Sequence, residues 1–170
     1  MIDIKTLGTS LDSVVLSIGA VKFDLAGRGL STEFHERLNV ASQEYAGRRA
    51  YGDTAIWWLK QSNDAQKMLL SMPETGVCAA LAELRNFCDG AEGVWGNGTM
   101  FDNAIVKDLC KSVGVIDPWH YRLDRCYRTL KSLVPHIKPP EHDFVAHDAL
   151  EDAKHQALHL QLIAKELGLK

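Results

Sequence analysis

Residues 1–23 read MIDIKTLGTSLDSVVLSIGAVKF. Ile2 and Ile4 alternate with Asp3 and Lys5, and Gly8 then breaks the run. Val14, Val15, Leu16, Ile18, Val21 and Phe23 resume an apolar, β-rich texture. Such runs, separated by small and polar turn residues, predict strands at 2–6 and 14–24, with a third at 32–38. Short connections between three consecutive strands imply an antiparallel meander. On the first strand Asp3 and Lys5 project to one side and Ile2 and Ile4 to the other. Any functional reading must explain a carboxylate and an ammonium placed together there.

After the third strand the texture turns helical. Asp53 is placed to cap a helix through Trp57 and Leu59, Asn63 one through Leu70, and Thr75 a longer one to Phe87, with Gly90 near its end. Val94-Trp95 reads as a short strand, followed by a helix from Asp102 to Val113 that Gly114 stops. A strand near Tyr121–Leu123 leads into a helix over Tyr127–Leu133. Pro135, Pro139 and Pro140 mark a loop, and a last helix runs from Ala149 to Leu167. This order predicts a single α/β domain over residues 1–170, with a mixed sheet flanked by helices. Chemistry in such folds collects at strand ends and at the first turns of the helices that follow.

A chain of 170 residues can bury a sound core. Its 46% hydrophobic and 24% charged residues are ordinary globular values, and no apolar run is long enough to span a bilayer. Asp3 follows Met1 so closely that no leader fits before it, and a signal peptide is not expected. Cys78, Cys88, Cys110 and Cys126 form no C-x-x-C pair and read as free thiols in a reducing cytoplasm. A formal charge of −3 argues against a basic architectural nucleic-acid binder. It does not argue against an enzyme that grips one strand end through a local basic patch.

Three further positions join Asp3. Asp102 lies in W-G-N-G-T-M-F-D-N, where a strand ends, turns through Asn97 and Gly98, and opens a helix. His147 and Asp152 lie in H-D-A-L-E-D-A. Asp148 and Glu151 there form a capping-box pattern, which puts Asp152 in the first turn and His147 just before it. Carboxylates on strands and at helix starts are orientable oxygen ligands of the kind Mg2+ and Mn2+ prefer. Each alone has a plain structural reading, as an exposed strand residue, a helix-dipole partner or a solvated helix residue. The constellation is more specific than its members.

Asp3 in D-x-K-T-x-G, Asp102 in N-x-x-x-F-D and His147–Asp152 in H-x-x-x-x-D resemble, in order, the three motifs of the DnaQ-like (DEDDh) 3′–5′ exonucleases. The runs W-W-L-K-Q-S at Trp57–Ser62, V-W-G-N-G at Val94–Gly98 and R-C-Y-R-T-L at Arg125–Leu130 resemble its phage- and prophage-encoded branch. That branch is often called exodeoxyribonuclease VIII-like, and an actinobacterial exoribonuclease group is similar to it. The resemblance spans about residues 1–165.

The resemblance implies an RNase H-like fold and a cytoplasmic enzyme acting on 3′ ends of single-stranded DNA or RNA, with nucleoside 5′-monophosphates as products. It also implies two divalent ions, Mg2+ or Mn2+, that brace the attacking and leaving oxygens of an in-line displacement. By position Asp3 would bridge both ions, Asp152 would serve the nucleophile-side ion, and Asp102 the second. His147 would deprotonate the attacking water. Leu7, Gly8 and Thr9 would border the terminal nucleotide, with Phe101 beside Asp102 in the same substrate-binding set. Homodimers are common among similar exonucleases, but no interface signature is legible here.

Lys5 departs from the family pattern, which has a glutamate there to help bind the nucleophile-side ion. A lysine has three donors and no acceptor, so it cannot ligate a hard cation while protonated. At ~4 Å and an effective dielectric of about 20, each unit-charge pair is worth ~4 kcal/mol. Exchanging attraction for repulsion would therefore weaken that ion site by orders of magnitude, and impaired catalysis is the expectation. A second possibility is that Lys5 fills the vacated position, pairing with Asp3 or Asp152 as a built-in cation. Whether the change was introduced, is a natural degeneration, or accompanies an active rearranged site stays open. So does an inactive nucleic-acid-binding module of the same fold. An RNase H-type endonuclease is disfavoured by a histidine just before the final acid.

Trp57 and Trp58 suit stacking on bases, or burial of at least one of them. Arg125, Arg128 and Lys131 fall three apart as a basic stripe for phosphates or a solvated face. Arg48 and Arg49 suit a phosphate-contacting loop, and Asn97 suits either substrate orientation or turn closure. His155 and His159 sit at zinc-like spacing, but Gln156 occupies the base position and no third ligand is evident.

Overall fold

The computed structural model describes residues 1–27, 29–141 and 147–169. β1 (Ile2–Thr6), β2 (Val15–Phe23) and β3 (Leu30–Leu38) form the expected antiparallel meander, and β4 (Glu74–Thr75) adds to β3 in parallel. β5 (Val94–Gly96) and β6 (Asp124–Cys126) form a separate parallel pair. The helices are α1 (Val40–Tyr45), α2 (Gly52–Leu59), α3 (Asn63–Ser71), α4 (Val77–Cys88), α5 (Asp102–Ser112), α6 (Tyr127–Leu133) and α7 (Ala149–Leu167). The arrangement is a mixed α/β fold, consistent with the RNase H-like class.

Strand alternation divides the core. Ile2, Ile4, Ile18 and Ala20 pack with Leu81 and Leu84 of α4 and Ile105 and Leu109 of α5. Val21 packs with Tyr127 of α6 and with Ala153, Ala157, Leu160 and Ile163, the apolar stripe of α7. Asp3 and Lys5 point to the α7 layer.

Two glycines set how closely the helices approach. Gly19 pairs with Asp3 across the ladder, and a Cβ there would fall 2.2 Å from the backbone of Ala149 and Leu150. Its absence lets the start of α7 rest directly on β2. A Cβ at Gly96 would fall 2.3 Å from Asn103 Oδ1 and 3.0 Å from Asp102 Cβ, so α5 leaves β5 with Asp102 against the sheet.

The structure moves several expected boundaries. α1, capped by Asn39 through the Ser42 N–H, has no counterpart in the sequence reading. Asp53 lies in the first turn of α2 rather than capping it, Ser62 rather than Asn63 caps α3, and Thr75 belongs to β4. Tyr121–Leu123 is a 3-10 turn, not a strand, because the His120 side chain accepts the Arg122 N–H. The ladder to β5 begins only at Asp124, whose carboxylate is held by Asn103, Lys107 and Trp119. The four cysteines are free thiols, and among the described residues no helix is long and apolar enough to cross a membrane.

Candidate active site

Asp3, Lys5, Asp102 and Asp152 converge where β1 passes α5 and α7. Asp148 caps α7 by accepting the Glu151 N–H at 2.9 Å, as the capping-box pattern predicted, and this turns Asp152 toward β1. The Lys5 ammonium donates to Asp3 Oδ2 at 2.6 Å and to Asp152 Oδ2 at 2.5 Å. It pairs with both carboxylates at once. The other Asp3 oxygen is also engaged, since Gln156 Nε2 donates to Asp3 Oδ1 at 2.8 Å.

Asp102 is buried and more weakly served. Its Oδ1 accepts the Ile4 N–H at 3.4 Å, and its Oδ2 is buried without a hydrogen-bond partner among the described residues. Burial, reinforced by the nearby Asp3 charge, pushes the Asp102 carboxyl up to about 8. Burial also raises Asp3, against the pull of Lys5. For Lys5 burial works against the charge, but the Asp3 and Asp152 carboxylates override it and hold the ammonium above the ordinary lysine range. Among the described residues no group of three or more His, Cys, Asp or Glu side chains is arranged to hold a metal ion.

A cavity of about 480 Å³ opens beside this cluster. Asp3, Lys5, Gly8 and Thr9 lie on one wall, Trp57 and Trp58 on a second, and Asn97, Phe101, Asp102, Arg128 and His147 on a third. Trp58 is buried and donates from Nε1 to the Thr6 carbonyl at 2.9 Å, which ties α2 to the end of β1. His147 sits at φ 73°, edge-on to Trp57 at 5.0 Å and to Trp58 at 6.1 Å between ring centroids. Arg128 donates to the Asn97 carbonyl at 2.6 Å, so a guanidinium is fixed at the rim. Asn97 therefore contributes its backbone to the placement of a cation.

Some expected residues lie elsewhere. Leu7 does not line the cavity. Its backbone closes the turn instead, with N–H to Val14 O at 2.8 Å and carbonyl to Tyr51 N at 2.7 Å. Arg125 donates to the carbonyls of Arg122 and Asp124 at 2.7 and 3.0 Å and borders a different cavity, beside Trp95. Arg48 is not a phosphate contact. It is buried, donates to Ser13 O, and pairs with Asp108 at 3.0 Å. His155 and His159 face the carbonyls of Pro140 and Ile137, and His159 also meets Tyr127, so both imidazoles are structural.

Gln156, read from sequence only as an argument against zinc, is a member of the carboxylate cluster. Its signal was its position four residues after Asp152, on the same face of α7. Asp53, read from sequence only as a helix cap, and Thr54 also line the cavity.

A mixed sheet that gathers carboxylates from its first strand, the start of α5 and the first turn of α7 defines an RNase H-like α/β protein with an acidic site. The chain belongs to the family of 3′–5′ exoribonuclease Rv2179c-like domains, whose model matches residues 1–164. No curated protein and no solved structure shows significant similarity to it.

Proposed function

We propose that this chain takes the 3′ end of a single-stranded RNA or DNA into the Trp57–Arg128–His147 cavity and hydrolyses it slowly, because Lys5 occupies part of the catalytic cluster. The carrying observation is the double ion pair from Lys5 to Asp3 and Asp152. The cavity walls support strand-end binding. Half-exposed Trp57 offers an aromatic surface to a base, and Arg128 offers a fixed donor to a phosphate.

The donors fit a divalent ion in part. Asp102 Oδ2 is a buried hard oxygen without a partner among the described residues, and it would be a ligand for an Mg2+ or Mn2+ that polarises a phosphoryl oxygen, but Lys5 and Gln156 already engage both oxygens of its neighbour Asp3. On the Asp152 side the fit fails, because the Lys5 ammonium sits between Asp3 Oδ2 and Asp152 Oδ2, where an ion would have to lie. In the hydrolytic step His147 accepts a proton from water as the water oxygen bonds to phosphorus. The bond from phosphorus to the 3′-oxygen of the preceding nucleotide breaks, that oxygen takes a proton from solvent, and a nucleoside 5′-monophosphate departs. Without an ion on the Asp152 side, deprotonation of the water rests on His147 alone, and slow turnover follows.

The test is to assay the native chain beside Lys5→Glu with Mn2+ on labelled single-stranded RNA and DNA. Lys5→Glu should cleave at least about tenfold faster, since one decade needs only ~1.4 kcal/mol of restored stabilisation. Equal rates would sink the impairment. Strand binding without cleavage in the native chain in any metal would mark a pure binding module.

A further inference from the structure

His147 is held in an unusual way. Its φ of 73° is a left-handed conformation that few residues with a Cβ adopt. Among the described residues its ring contacts are aromatic, with Trp57 at 5.0 Å and Trp58 at 6.1 Å, both edge-on, and no hydrogen bond or ion pair accompanies them. The two indoles differ in station. Trp58 is 7% exposed and locked to the Thr6 carbonyl, so it fixes α2 on β1. Trp57 follows the placement of Trp58, 5.1 Å away and also edge-on, but is 43% exposed and projects to the imidazole.

We propose that Trp57 is a positioning residue for His147: its indole sets the orientation of the imidazole, and so the direction in which the ring nitrogen meets water. This rests on reading His147 as the base of a strand-end site. The physical ground is directional. Aromatic rings prefer edge-to-face geometry, and a base acts only when its lone pair lies within hydrogen-bond reach of the proton it removes. Ångström-scale misplacement of such a group costs orders of magnitude in rate. A continuous support therefore runs from the end of β1 through Trp58 and Trp57 to His147. The role differs from base stacking, which would use the exposed part of Trp57 and leave the imidazole indifferent to it.

Ring-proton resonances of His147 test the placement in the native chain, with His147→Gln identifying the signals. Trp57→Ala should move them toward free-histidine positions as the Trp57 ring current is lost and the imidazole reorients against Trp58, whereas Trp57→Phe should keep most of the displacement. Because Trp57 is half-exposed on its helix and Trp58 supplies the anchor, the fold survives either change. In the Lys5→Glu background, Trp57→Ala should lower kcat about tenfold or more whatever it does to KM, because the indole also faces a base, and Trp57→Phe should restore most of kcat. His147 signals unmoved by Trp57→Ala would overturn the proposal. So would a rise in KM with kcat intact, the mark of a base platform. Should Lys5→Glu itself fail to cleave, the exonuclease reading falls, while the His147 signals still decide the positioning.

Discussion

At Asp102 the cost of the site is written into a single carboxyl. Its proton is held up to about 8 in the folded chain against 3.8 ordinarily. Between those values the unfolded state binds fewer protons than the folded one, so stability falls as pH rises through that window. The slope has an upper bound of ~1.4 kcal/mol per pH unit for one group. Lys5 has the opposite standing. Its raised pKa makes a contribution that is intact below the ordinary lysine value and is lost only as pH rises through the folded one, so it adds no slope near neutrality. Asp102→Asn keeps the shape and removes the titration. In chelator-containing buffer the native Tm should fall from pH 5 to pH 8, and the Asp102→Asn Tm should fall less. Parallel declines would show that the carboxyl is not strained.

At the scale of elements, two close approaches locate the acids. Gly19→Ala would drive a Cβ into the backbone of Ala149 and Leu150, which no rotamer change relieves. It should destabilise by at least ~2 kcal/mol in denaturant unfolding and loosen the α7 end of the site. Gly52→Ala is the control, since no atom lies within 4 Å of the added methyl. It should be neutral or stabilising by ~0.4–1 kcal/mol. A mild Gly19→Ala effect would mean that α7 does not rest on β2 as described. The elements themselves were largely legible, because β1 to β3 alternate cleanly and α7 carries both an apolar stripe and its cap. What misled was local. Tyr121–Leu123 has a strand's composition, but a side-chain cap on the neighbouring backbone turns it, and α1 is too short to show a period.

For the whole molecule, the ordered motifs singled out Asp3, Asp102, His147 and Asp152; the fold joins Asp3 and Asp152 through Lys5 and puts Asp3, Asp102 and His147 on the walls of one cavity, and Lys5 was recognisable as foreign to the pattern. Its double pairing was not settled by sequence, because whether Lys5 takes one carboxylate or two depends on how close α7 comes to β1. Gln156 and Asp3 are likewise joined only by the fold, as are Arg48 and Asp108, and no local pattern announces either contact. The resulting picture is a nuclease-family fold whose acidic cluster is closed by its own ammonium. A buried ion pair that loses one partner leaves an uncompensated charge, so the cluster should need a cation, and Lys5 supplies it from within. The most direct measurement is thermal unfolding of the native chain and Lys5→Glu, each with chelator and with saturating Mn2+. The account predicts a native Tm that Mn2+ barely moves and a Lys5→Glu Tm that is low in chelator and rises with the ion, as binding to the folded state alone requires. A native chain stabilised by Mn2+ as strongly as Lys5→Glu would contradict it.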